Sequence, residues 1–229
     1  MSEEKAGFLR GLLVAHRGKY DNMAGVPENS LAAFRKAVKE GMAIELDVHL
    51  SRDGRVVVFH DSFVRRMTGG GGVIVRKKFP EIRRLRLMGT TEKIPELSEV
   101  LEVVKGKVPM IIEVKFDRMP GKLEREMVKI LDEYRGKFAV KSFSPLTVKW
   151  FYQNRPEYIR GLLVNYKLWR KLGAILIWMA KPEFLSVDYR LYNNPKIQEM
   201  RKKMPVIAWT VKDEKTMERV RGYFDGLIM

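Results

Sequence analysis

The residues best suited to chemistry lie in the run IELDVHLSRDGRVVVFHD at positions 44–61. Glu45, Asp47 and His49 alternate with apolar neighbours, the period of two that marks a strand. Asp53-Gly54 predicts a two-residue hairpin turn, because such turns need positive φ, and residues 56–59 supply the returning arm. That register sets Arg52 against Arg55, Ser51 against Val56 and Asp47 against His60, with Glu45 two residues away on the face of Asp47. Two carboxylates beside an imidazole could hold a divalent cation and a proton-transfer group. The competing reading of this run alone is a solvated polar face on an exposed hairpin.

The elements that must position these groups follow from the rest of the chain. Apart from the returning hairpin arm, strands are expected to start near residues 12, 43, 108, 138, 160, 184, 206 and 225, with helical segments between most of them. Ser30 is a candidate cap for a helix whose stripe is Leu31, Phe34, Ala37 and Val38. Eight such strand–helix alternations predict a parallel sheet closed as a (β/α)8 TIM barrel, one domain over residues 1–229. The alternative is an open doubly wound sheet, whose nucleotide-binding form is poorly supported because no Gly-x-Gly-x-x-Gly follows the first strand. The hairpin follows strand two. After it comes a short basic insertion: residues 65–93 carry nine Lys/Arg against two acids. A short helix is expected at residues 79–87, and another at 123–134 with Gly136 just beyond it. Within the insertion, residues 69–72 are four glycines with no Gly-Lys-Ser/Thr after them, so they read as a flexible linker rather than a phosphate loop.

Composition narrows the function. With 229 residues and 45% hydrophobic content the chain can bury a sizeable core, and it contains no long uncharged apolar run that would span a membrane. The absence of cysteine excludes thiol nucleophiles, disulfides and thiolate metal sites, and fits a cytoplasmic location, as does an N-terminus that does not read as a signal peptide. A net charge of +16 favours anionic partners: nucleic acid, anionic lipid or phosphorylated small molecules.

In a barrel, chemistry gathers where the strands end. His16 and Arg17 close strand one; Glu45 and Asp47 lie on strand two; Glu113 and Lys115, one pleat apart, close strand three; Trp209 lies on strand seven. Two histidines, three carboxylates, an arginine and a lysine would thus meet at one rim.

These residues resemble the glycerophosphodiester phosphodiesterase family. The likeness runs through AHRG at 15–18, PENS at 27–30, ELDVHLSRDGRVVVFHD at 45–61, RMTGGGG at 66–72, IPELSEVL at 94–101, IEVK at 112–115, SFSP at 142–145, WTV at 209–211 and DGLI at 225–228, nearly the whole chain. The resemblance implies hydrolysis of glycerophosphodiesters to glycerol phosphate and an alcohol. It implies Glu45, Asp47 and Glu113 as ligands of a divalent metal, Mg²⁺ or Ca²⁺, and His16 and His60 as the general acid/base pair. Arg17 and Lys115 would hold the phosphate, with Phe143 and Trp209 as a wall for the alcohol or, equally, as barrel packing. Glu28 and Asn29 would brace the rim. His49 is expected to be an exposed strand residue near the turn, the alternative being a substrate contact.

Two departures stand out. Where the family continues with Thr-Asp and a closing helix, this sequence reaches Met229, so the seam between strands eight and one would be covered by residues 3–12, a partner subunit in a homo-oligomer, or a membrane. Lys212 stands where relatives commonly carry Asn. Two other functions compete. One is a lysophospholipase D-type enzyme at a membrane surface, suggested by YKLWRKLGAILIWM at 166–179. The other is a catalytically inactive basic binding protein on the same barrel. Nucleic acid is disfavoured as a partner, because recognisable nucleic-acid motifs are missing.

Overall fold

A computed structural model describes residues 5–116 and 119–229. Among the described residues, nine strands and seven helices of seven residues or more follow in the order β1 (Leu12–Ala15), α1 (Leu31–Lys39), β2 (Ala43–Leu50), β3 (Val56–Val58), α2 (Leu97–Val104), β4 (Met110–Val114), α3 (Lys122–Leu131), β5 (Phe138–Ser142), α4 (Pro145–Asn154), β6 (Ile159–Val164), α5 (Tyr166–Ala180), β7 (Phe184–Asp188), α6 (Pro195–Arg201), β8 (Val206–Trp209), α7 (Glu214–Val220) and β9 (Gly226–Ile228). Eight parallel strands alternating with helices make the (β/α)8 barrel expected from the sequence; β3, the hairpin arm, is the antiparallel addition. The chain forms two compact units, residues 17–138 and residues 1–16 with 139–229.

In the unit of residues 17–138, β4 pairs with β2 in parallel from Ile44 against Met110 to Val48 against Val114. Ser30 caps α1 as its sequence predicts, accepting a hydrogen bond from the Ala33 amide, and Ala33, Phe34 and Ala37 bury the inner face. β2 is buried on both faces. Ile44, Leu46 and Val48 point one way, while Glu45, Asp47 and His49 point the other and are buried too. A solvated polar face is therefore excluded.

The hairpin register differs by one residue from the expectation. Val48 pairs with Val58, His49 with Val57 and Leu50 with Val56. The loop holds three residues, Arg52, Asp53 and Gly54. The Ser51 amide donates to the Arg55 carbonyl, and Gly54 takes φ 83°, the left-handed conformation that closes such a loop with a bulge. Ser51 Oγ secures it, donating to Asp53 Oδ1 and accepting from the Arg55 amide. Asp47 consequently lies opposite Phe59, whose amide donates to the Asp47 carbonyl, and His60 falls beyond the end of β3.

The basic insertion folds on itself, and residues 69–72 within it are part of that packed segment rather than a flexible linker. Val64, Met67, Ile74, Ile82, Leu87 and Ile94 bury a small core with Val57 and Phe59. Gly69, at φ 68°, ends the single turn Arg65–Thr68, and the Gly72 carbonyl accepts from the Val64 amide. The helix expected at 79–87 is only the turn Phe79–Ile82, and α3 ends at Leu131.

In the other unit β1, β9, β8, β7, β6 and β5 are neighbours in that order, and β9 pairs with β1 from Leu12 against Gly226 to Val14 against Ile228. Of the N-terminal segment expected to cover the seam, Glu3 and Glu4 lie outside the described residues. Ala6 and Leu9 are buried, and Arg10 pairs with Asp225 at 2.7 Å.

Candidate active site

The site grows from one register match. Asp47 on β2 and Glu113 on β4 are direct partners in parallel pairing, so their side chains leave the sheet side by side, with Glu45 one pleat before Asp47. Oxygens of Glu45, Asp47 and Glu113 all lie within 4.8 Å of one another. The three residues are 1%, 1% and 7% exposed. Buried carboxylates this close repel unless cations compensate them.

The chain supplies two such cations. Lys115, one pleat beyond Glu113, places Nζ 2.7 Å from Asp47 Oδ1 and also pairs with Glu113. Arg17 approaches Asp47 with Nε at 3.5 Å, and its amide donates to Glu45 at 3.1 Å. Burial pushes the Asp47 carboxyl up, but Lys115, His60 and Arg17 together outweigh it and hold the group well below the usual carboxylate range. Burial likewise opposes the Lys115 ammonium, and Asp47 and Glu113 more than restore it.

A rigid loop holds Arg17. Both Arg17 and Gly18 are left-handed, at φ 56° and 81°, and a Cβ on Gly18 would sit 2.9 Å from Ala33 Cβ. Only glycine lets the loop lie this close to α1. Asn29, also left-handed at φ 55°, gives its amide to the Arg17 carbonyl and its side-chain nitrogen to Asp47 at 2.9 Å. Glu28 receives Arg17 at 2.7 Å and Arg66 at 2.6 Å. Bracing by Glu28 and Asn29 is thus as expected. Arg66 is the residue that sequence reasoning passed over: one cation among nine in a basic segment carries no mark, and its partner lies 38 positions away.

His60 is held from two sides. Its Nδ1 lies 2.7 Å from Asp61 Oδ1, and Arg66 grips the other oxygen of Asp61 at 2.6 Å. His49 donates from Nε2 to the His60 carbonyl at 3.2 Å. His49 is only 6% exposed, which corrects the expectation of an exposed strand residue: it shares the buried face of Glu45 and Asp47, and the backbone at His60 lies against its ring. Burial lowers its pKa to about 4 against the effect of that hydrogen bond, so the ring is neutral near pH 7.

Arg17, Glu45, Asp47, His60, Glu113 and Lys115 therefore come together within one unit. His16, Phe143 and Trp209 belong to the other. The His16 amide donates to the Met229 carbonyl. Phe143 and Trp209 meet edge to face with ring centroids 5.6 Å apart, and the indole donates to the Ser186 carbonyl. Lys212 follows β8 on the surface.

Three buried acids, two compensating cations and a braced histidine on a (β/α)8 barrel make a class of site that could hold a divalent cation and an anionic ligand. The Glycerophosphoryl diester phosphodiesterase family matches residues 16–229, and the chain belongs to that family, a phosphodiesterase as its motifs imply. It is 31% identical over 238 residues to the glycerophosphodiester phosphodiesterase of Caldanaerobacter subterraneus subsp. tengcongensis, covering 96% of this chain and 94% of that one. Among solved structures it resembles a glycerophosphodiester phosphodiesterase from Thermotoga maritima, with TM-score 0.77 and 26% identity over 95% of this chain and 93% of that one. An Oleispira antarctica phosphodiesterase, solved with its product sn-glycerol-3-phosphate, shares the fold with TM-score 0.85 and 24% identity over 97% of this chain and 94% of that one.

Proposed function

We propose that the chain is one barrel domain over residues 1–229 that hydrolyses glycerophosphodiesters in the cytoplasm, yielding glycerol phosphate and an alcohol. Family membership supports the substrate class, and so does the glycerol phosphate bound by the Oleispira relative. The observation that carries the reading is the cluster of Glu45, Asp47 and Glu113 with Lys115 and Arg17 seated against it.

The donor set fits a hard divalent cation. It offers three carboxylates, and neither histidine nor sulfur belongs to the cluster, which suits Mg²⁺ or Ca²⁺ over zinc. Glu45, Asp47 and Glu113 would hold the ion, and when bound it supplies charge neutralisation for a phosphoryl group that otherwise repels nucleophiles. Arg17 and Lys115 bind the phosphate oxygens and stabilise the charge that grows in the transition state. One imidazole of the pair His16 and His60 takes the proton from the nucleophile, water or the neighbouring glycerol hydroxyl; attack by the hydroxyl would give a cyclic phosphate. The other imidazole protonates the departing alkoxide. For His60, the carboxylate at Nδ1 directs Nε2 toward proton transfer. Phe143 and Trp209 form an apolar wall for the alcohol.

The test is release of glycerol phosphate from glycerophosphocholine, glycerophosphoethanolamine and glycerophosphoglycerol, with and without chelator. Turnover that stops on chelation and returns with Mg²⁺ or Ca²⁺ supports the reading. No release from any of the three with either metal overturns the substrate class, and chelator-resistant turnover overturns the metal.

A further inference from the structure

Helix α5 carries a surface that the reaction does not use. Its inner face is complete: Trp169, Gly173, Leu176 and Ala180 recur at helical spacing and are buried. Gly173 lies so close to the Trp169 ring that an added Cβ would fall 2.6 Å from it. Packing therefore asks nothing apolar of the opposite face.

That face is apolar nonetheless. Trp178 is 76% exposed and Ile175 55%, with Leu172 also in solvent. Lys171 and Lys167 lie on the same side, about two and three turns nearer the N-terminus than Trp178, and Arg170 flanks them. Tyr166 sits beneath two guanidinium groups, 5.9 Å from Arg170 and 5.7 Å from Arg190. A hollow of about 560 Å³ opens beside these first turns, lined by Lys167, Arg170 and Lys171 among others. No Asp or Glu occurs from Tyr166 to Ala180. An outer barrel helix exposed only to water normally alternates both signs of charge on this side.

We propose that this face of α5 docks the protein on an anionic lipid bilayer, with Trp178 and Ile175 entering the headgroup–acyl boundary and Lys167, Arg170 and Lys171 against lipid phosphates. A bilayer matches both halves of the face. An indole ring suits the membrane interface, and basic side chains meet the negative surface potential. The charge argument selects the occupant: a second copy of a chain with net charge +16 would bring like charge to Lys167 and Lys171. Docking is independent of turnover, so its failure and that of the catalytic reading are separately visible.

The experiment is co-sedimentation of the full chain with phosphatidylcholine vesicles, with and without about 30% phosphatidylglycerol, at low and high salt. Binding to the anionic vesicles only, weakened by salt, is expected. The triple variant Lys167→Gln, Arg170→Gln, Lys171→Gln should lower partitioning by roughly a hundredfold, at about fivefold per charge. Trp178→Ser should also weaken it and abolish the blue shift of tryptophan emission expected when the wild type binds. Hydrolysis of soluble glycerophosphocholine should be unchanged in both variants, which reports that they fold. No binding to anionic vesicles, or binding equal in wild type and both variants, overturns the proposal. A solution dimer that Trp178→Ser converts to monomer, without vesicle binding, assigns the face to a second copy and overturns it too.

Discussion

Lys115 Nζ lies 2.7 Å from Asp47 Oδ1 while also pairing with Glu113, so one ammonium group bridges the two carboxylates that β2 and β4 set in register. The bridge marks where positive charge is needed. Lys115 and Arg17 answer three buried acids, and a divalent cation on the same cluster would leave the lysine free to meet a substrate phosphate.

Removing one of the three acids should separate metal binding from folding. Glu113→Gln relieves repulsion within the cluster and gives up its ion pair with Lys115, which keeps Asp47, so the metal-free protein should change little in stability. Turnover should fall by about 10²–10³. Wild type should gain about 2.7 kcal/mol of stability at a hundredfold excess of metal over its dissociation constant, and the variant none. Calorimetric titration with Mg²⁺ or Ca²⁺ and thermal unfolding check both; a metal-dependent shift retained in the variant would count against Glu113 as a ligand.

The histidines should be indispensable to turnover and dispensable to folding. His16→Ala and His60→Ala are each expected to abolish activity with circular dichroism unchanged; the bond from the His16 amide to Met229 does not involve its ring. Asp61→Asn, which weakens the hold on His60 Nδ1, should lower kcat by about tenfold to a hundredfold and leave KM near wild type. Normal rates in either alanine variant would remove that residue from acid/base chemistry.

Gly18→Ala should be costly where Gly54→Ala is mild. Both glycines are left-handed, at φ 81° and 83°. Only at Gly18 does the new methyl meet Ala33 at 2.9 Å and Phe34 at 3.0 Å, whereas at Gly54 it meets open space. Gly54→Ala should cost about 1–2 kcal/mol, the conformational term. Gly18→Ala should add roughly 1–3 kcal/mol of overpacking and reduce turnover by displacing Arg17. Denaturant midpoints of the two variants test the difference.

Acid should erode the contribution of Glu28. Burial raises its pKa, but the hydrogen bond from Arg66 and the charge of Arg17 win, and it lies below the ordinary value of 4.5. A carboxyl with a depressed folded pKa contributes stability that is present above the unfolded pKa and lost as pH falls through the folded one. Glu28→Gln should therefore be less stable than wild type at pH 7, and the gap should narrow below pH 4.5. Unfolding free energies at pH 7 and about pH 3 decide it; a gap independent of pH would mean that the Glu28 charge is not what matters.

Local order settled much of this protein in advance. The alternation of Glu45 and Asp47 with apolar residues, the repeat of strands and helices, and the Ser30 cap are short-range signals, and each appears where the residues place it. Short-range reasoning failed where one residue more or less changes the outcome. A three-residue loop in place of two set Phe59 rather than His60 opposite Asp47, because each residue added to the loop shifts the pairing of the returning arm by one. Arg66 reaches Glu28 and Asp61 only because the insertion folds on its own small core, and the pairing of Asp47 with Glu113 spans 66 residues. The chain's spelling set which groups exist and which face of each element they occupy. Packing between distant segments chose their partners, because the energies that align them arise only when burial removes water from around the charges.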